Sequence, residues 1–249
     1  MAGRGLSPAT TSFNQSIMAN NAPVPEQLEK LSALLPYQTL DEDTGEIVDI
    51  FKYLEGHPRQ YRFDAKDGSF NINGDRPVGK TLTFQPIAWR IFTDNILNMG
   101  TKNWAELFFV DERNCVSAVL FHGFSVDNIF RLIEPLYYDD LTLADVVITA
   151  TPERKENTKI QPKGVYYICS FSYAIADAAQ TKALKAYARE RPIFRQETLT
   201  DIANIKTAMN YFNPFAGGRM NGKLGTYQPT GAEPAPTDLF LEAGTDPAK

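Results

Sequence analysis

The period of the hydrophobic pattern changes several times along the chain. Between Lys80 and Tyr173, apolar residues alternate with polar ones or gather in short β-branched and aromatic blocks. This predicts strands over residues 81–92, 104–110, 115–124, 143–151 and 165–173. Asp111-Glu112-Arg113-Asn114 suits a tight turn between the second and third strands. After the third strand the spacing becomes helical. Ile129, Phe130, Leu132, Ile133 and Leu136 form one apolar face over residues 126–138, with Ser125 as N-cap and Pro135 as an end or a kink.

The flanks are less regular. Residues 1–25 are rich in Ser, Thr, Asn, Ala and Pro without any period and read as a disordered arm. Leu28, Leu31, Leu34 and Leu35 have helical spacing, stopped by Pro36. Asp67-Gly68 is a hairpin signal between residues 60–65 and 69–73. An Ala-rich helix is expected over residues 174–191, ended by Pro192. A second amphipathic helix over 197–212 is expected from Leu199, Ile202, Ile205, Met209 and Phe212. Gly, Pro and polar residues dominate from Asn213, so a flexible acidic tail is expected over 213–249. The expectation is one domain over residues 26–212, mostly β with α additions. Its centre would be a five-stranded Greek-key barrel with a helix between strands three and four, preceded by a β-hairpin and followed by helices.

Composition narrows the setting. The chain has 249 residues, 43% hydrophobic and 22% charged, ordinary values for a globular protein. No apolar run approaches the roughly 20 residues of a membrane span, and no apolar segment follows Arg4, so neither a membrane nor a secretory signal is expected. Cys115 and Cys169 fall inside predicted strands, as small apolar residues in a reducing, cytoplasmic compartment. The net charge of −5 disfavours a nucleic-acid partner, but its distribution is uneven. Residues 1–60 hold four basic residues against eight acids, whereas residues 174–225 hold eight against four. Local charge decides binding.

Two motifs invite catalytic readings. Residues 74–81 fit the phosphate-loop pattern GxxxxGK[ST], and Leu107-Phe108-Phe109-Val110-Asp111-Glu112 imitates the acidic strand of nucleotidases. The context is wrong: Ser69–Asn73 alternates instead of forming a buried parallel strand, and Thr81-Leu82-Thr83-Phe84-Gln85-Pro86 has strand formers and a proline where a helix must begin. His122 alternates with core residues and reads as structural, and no Cys, His and Asp residues have metal-ligand spacing. Catalytic residues, metals and cofactors are therefore not expected.

The nucleic-acid signal is diffuse but coherent. Single-strand binders combine a positive groove for phosphates with aromatic faces on which bases stack. The polar loop 151–163 carries Arg154, Lys155, Lys159 and Lys163 ahead of Tyr166 and Tyr167, while Trp89 and Arg90, Trp104, and Phe108 lie in the first two strands. Alternation places Tyr167 with Cys169, Phe171 and Tyr173 on the more apolar face and Tyr166 on the outward one. Each aromatic taken alone also suits barrel core. In element order, basic loop and aromatics, residues 80–173 resemble oligonucleotide-binding-fold single-stranded DNA-binding proteins of phages and mobile elements. The resemblance implies a non-enzymatic sheath for single-stranded DNA, or RNA, in replication or recombination. It also implies homo-oligomers and an acidic tail that recruits replication or recombination proteins. The tail here ends in Asp246-Pro247-Ala248-Lys249, not in an acidic-aromatic terminus. The competing reading is a structural or assembly protein, for instance of a virion, with the barrel as scaffold.

Overall fold

The computed structural model describes residues 34–157 and 164–222. The arm, most of the helix expected before Pro36, Lys159, Lys163 and the tail beyond residue 222 lie outside the described residues. In chain order, β1 (Gln38–Leu40) and β2 (Ile47–Asp49) form a short hairpin across the acidic loop. β3 (Arg59–Asp64) and β4 (Ser69–Ile72) pair around the predicted Asp67-Gly68 turn, and β5 (Arg76–Gly79) adds to β4. Then come β6 (Leu82–Phe84), β7 (Pro86–Asp94), β8 (Lys102–Val110), β9 (Val116–His122) and helix α1 (Phe124–Tyr138). β10 (Val146–Asn157) and β11 (Gly164–Ile175) form a long hairpin, followed by α2 (Ala178–Glu190), β12 (Asn204–Asn213) and β13 (Gly218–Gly222).

These strands build three sheets, and among the described residues they form no five-stranded barrel. One sheet is β1-β2, the second is β11-β10-β6, and the third runs β13-β12-β7-β8-β9-β3-β4-β5. Only the β3–β9 pair is parallel within these sheets. The barrel expectation fails first at Gln85-Pro86. Pro86 cannot donate to a ladder, and Gln85 is buried with its amide donating to the Ala144 carbonyl and the Thr181 hydroxyl, 2.8 Å each. The single strand expected over residues 81–92 is therefore two, β6 in the small sheet and β7 in the large one.

The second correction lies near the C-terminus. Of the helix expected over residues 197–212, residues 204–212 instead belong to β12 on the β7 edge, where Asn204, Ile205, Thr207, Ala208 and Met209 pair with β7. Asn, Thr, Tyr and Phe are weak helix formers, and an available sheet edge outweighs a helical apolar spacing. A bulge between Ile205 and Thr207 shifts the register. The expected tail is likewise ordered over its first residues, because β13 pairs with β12. Ser125 is not the N-cap of α1: the helix starts two residues earlier than expected, at Phe124 after Gly123, which has φ 59°.

Both faces of the large sheet are covered at its centre, which explains why β7 and β8 are buried almost throughout. On one face Trp89, Ile91, Ala105, Leu107, Phe109, Val119 and Phe121 meet Phe84, Ile148, Ala150 and Cys169 of the small sheet and Val126, Ile129 and Leu136 of α1. On the other, Ile87, Ala88, Phe108, Ala118 and Tyr211 meet Leu184, Tyr187 and Ala188 of α2 together with Tyr37, Ile193 and Phe194. Each fully buried side chain of this kind contributes roughly 1.5–3 kcal/mol. Within the second layer Arg90 and Glu106, opposite each other on β7 and β8, form a fully buried ion pair with Nε–Oε2 2.9 Å.

Candidate nucleic-acid interface

Four of the residues expected to meet an oligonucleotide are core. Trp89 (4% exposed), Arg90 (0%), Trp104 (1%) and Phe108 (0%) have no surface to offer a base. The Trp104 indole N–H donates to the Asp94 carbonyl at 2.9 Å. The Arg90 guanidinium lies 4.0 Å from the Phe92 ring centre and 4.4 Å from that of Tyr211, and donates to the Thr198 carbonyl at 2.5 Å. The physical reason is that both faces of the sheet are covered: Trp89 is buried under the small sheet and α1, Phe108 under α2 and the segment after it, Trp104 against Phe92 and Ile96, and Arg90 beneath Phe92, Tyr211 and Thr198.

The strand that carries Tyr166 and Tyr167 is placed differently. β10 and β11 are paired from Val146–Ile175 to Asn157–Gly164, with Arg154 opposite Tyr167 and Lys155 opposite Tyr166. Cys169 lies in the core, with Phe171 packed against it, and alternation puts Tyr167 on that side. Tyr166 is on the other side, where Phe124, Asp127 and Arg131 of α1 share its pocket and leave it only 7% exposed. The outer edge of β11 is held by side chains and a turn. The Ser125 hydroxyl accepts from the Cys169 N–H at 2.9 Å and the Asn128 amide donates to the Cys169 carbonyl at 2.7 Å, while the Tyr167 N–H donates to the Ala65 carbonyl at 2.8 Å. Tyr167 packs over Gly68, where a Cβ would come within 2.7 Å of the ring. Arg154 and Lys155 are each neutralised by a neighbour on the same strand, Glu156 and Glu153, at 2.6 Å. These pairs are largely exposed and weak, so the cations remain available to a competing phosphate.

Around this strand a run of depressions shares walls. An open groove of about 820 Å³ lies between the β3–β4 hairpin and the loop 95–101, with Arg62, Lys66, Lys102, Asn71 and Asn98 on its sides. Phe63, Ala65 and His122 separate it from a small cavity of about 50 Å³ walled by Phe121, Phe124, Tyr166 and Tyr167. Phe124, Tyr166 and Ile168 in turn border a depression of about 340 Å³ with Arg131 and Lys155. Asn128, Arg131 and Glu153 then lead to another of about 540 Å³, which ends at Phe171 and Tyr173. The trough carries Arg62, Lys66, Lys102, Arg131 and Lys155 against Asp64, Asp127 and Glu153. It is thus cationic on an acidic protein, with aromatic rings along its floor.

His122 sits at the junction. Its ring stacks edge-on against Trp104 at 5.4 Å, and it has no hydrogen-bond partner among the described residues. Burial, with the Lys102 charge beside it, pushes its pKa down to about 4, so the imidazole is neutral at physiological pH. Burial raises the Cys169 thiol well above its usual range, which makes it an inert core group. No cluster of three or more metal-ligating side chains occurs among the described residues. The phosphate-loop pattern is not a phosphate cradle: Arg76–Gly79 is the exposed strand β5, and the next element is strand β6, with no helix N-terminus at Lys80.

Of the expected site residues, the trough therefore gathers Lys155, Tyr166 and Tyr167. Arg154 lies beside it on the same strand. The expectation missed Arg62, Lys66, Lys102, Arg131, Phe63, Phe124 and His122. Arg62 and Lys102 are 40 positions apart in sequence, and it is the β3–β9 and β8–β9 pairings that bring them to one groove. The local signal present was the pair of cations, Arg62 and Lys66, just ahead of the Asp67-Gly68 turn. No protein family, no curated protein and no solved structure matches this chain.

Proposed function

We propose that the protein binds single-stranded DNA without catalysis, seating the strand along the trough between the β3–β4 hairpin and the β10–β11 hairpin. The observation that carries this reading is the trough itself, where five cations line a path of connected depressions floored by aromatic rings. Cations displace condensed counterions from the backbone, and ring faces accept bases of any identity. Such a protein coats exposed strands in replication or recombination, and RNA is a competitor for the same surface. The test is fluorescence anisotropy with a labelled oligo-dT at low and then high salt. Affinity falls steeply with salt, and the charge reversals Arg62→Glu, Lys66→Glu and Lys102→Glu combined weaken binding at least about a hundredfold at low salt. The absence of binding at low salt overturns the reading.

A second reading, an assembly protein, draws on β5. All four of its residues are exposed at the end of the large sheet, so an incoming strand has an edge to pair with. A stable ordered assembly that forms without DNA favours it.

A further inference from the structure

We propose that the cavity behind His122 is a nucleobase subsite that takes the edge of a single one-ring base, a pyrimidine, from a strand lying in the cationic groove. This rests on the single-strand reading above and adds base selection to it.

Three observations meet at this place. The cavity is walled by Phe63, Phe124, Tyr166 and Tyr167, so a planar heterocycle finds ring faces on entering. Its volume of about 50 Å³ accommodates roughly four water-sized groups, enough for the edge of one ring and too little for a fused pair. The wall it shares with the open groove is Phe63, Ala65 and His122, and the ring nitrogens of the half-buried His122 have no hydrogen-bond partner among the described residues. With no protein partner to compete, these nitrogens are open to hydrogen bonds from a ligand. A neutral imidazole carries one donor and one acceptor, and the Watson–Crick edge of a pyrimidine offers the complementary pair. Lys102, Lys66 and Arg62 stand on the groove side of the same wall, where the phosphates flanking an inserted base must lie. The occupant is thus specified by charge complementarity outside the wall and by shape and hydrogen bonding inside it.

The full-length protein is titrated by anisotropy against three labelled oligomers of equal length: dT, dA, and an abasic deoxyribose-phosphate chain. Expected is a preference of about fivefold or more for dT over the abasic chain, the lower end for one stacked base, with dT also favoured over dA. His122→Phe, which keeps a ring against Trp104 but removes both nitrogens, brings the dT-to-dA ratio close to one while the salt dependence of dT binding is kept. His122→Asn, which restores a donor and an acceptor, retains part of the preference. Wild-type protein that binds dT, dA and the abasic chain alike overturns the subsite and leaves the single-strand reading standing. Failure to bind any of the three at low salt overturns both. The wild-type ratios decide the matter even if a variant does not fold.

Discussion

The buried pair Arg90–Glu106 makes a sharp demand on stability and none on ligand binding. Both side chains are completely removed from solvent. The guanidinium donates to Glu106 at 2.9 Å and to the Thr198 carbonyl at 2.5 Å, and the Thr198 hydroxyl closes the ring of contacts on Glu106 at 2.7 Å. Replacing Glu106 with Leu leaves a buried cation with a carbonyl and two aromatic faces. Removing one member of such a pair costs 3–5 kcal/mol as a rule. The rings of Phe92 and Tyr211 still face the cation and offset part of this, which puts the expected loss near the lower end, about 3 kcal/mol. In urea unfolding that is a fall in midpoint of about 1 M or more with an unchanged slope. The double variant Arg90→Met/Glu106→Leu removes the stranded charge and regains most of the loss. A deficit of about 1–2 kcal/mol remains, from the Thr198 carbonyl that loses its donor. A midpoint shift below about 0.3 M for Glu106→Leu would refute the reasoning, as would a double variant less stable than both single ones. An Arg90→Met protein that stays folded yet loses oligonucleotide affinity would show that Arg90 reaches the ligand after all.

Two further outcomes follow from the trough. The pKa of His122 is lower in the folded chain, about 4, than the ordinary 6.5, so the unfolded chain takes up the proton first. The stability this represents is intact above pH 6.5, is lost as pH falls toward 4, and does not fall further below that. The depression corresponds to roughly 3 kcal/mol at most, less because the ring keeps some contact with water. His122→Phe therefore shows a shallower decline than wild type between pH 6.5 and 4 in parallel urea titrations, and identical slopes in that window contradict the burial of the ring. Gly68→Ala places a Cβ 2.7 Å from the Tyr167 ring at a φ of +62° and costs about 1–3 kcal/mol; a neutral melting shift is the contrary result.

The hairpins and the helix between them were legible because their signals are local: alternation in 104–110 and 165–173, the Asp67-Gly68 turn, and the apolar face from Ile129 to Leu136. How the strands combine was not. Whether residues 81–92 form one strand or two depends on Gln85, whose partners Ala144 and Thr181 are distant in sequence. Residues 204–213 satisfy a helical apolar spacing, and the open edge of β7, which lies more than a hundred positions away, decides for strand. The same blindness governs the site. Trp89 is covered by the small sheet and α1, Phe108 by α2 and its neighbours, and Trp104 by Phe92 and Ile96, and no alternation pattern reveals that both faces are occupied. Tyr167 and Lys155 were found because aromatic and basic residues adjoin within one hairpin. Lys102 and Arg62 were not, because only the sheet order unites them.

The outer edge of β11 constrains how copies of this protein meet. A free sheet margin is a row of unpaired amides and carbonyls that recruits strands indiscriminately. At Cys169 the amide and the carbonyl are already engaged, by the side chains of Ser125 and Asn128, and at Tyr167 the amide is engaged by the Ala65 carbonyl. The first two turns of α1 thus act as a selvedge, a finished border that stops the weave from being extended there. Growth by strand addition is turned away from the margin that borders the trough, so a neighbouring copy does not extend the β10–β11 hairpin at that border.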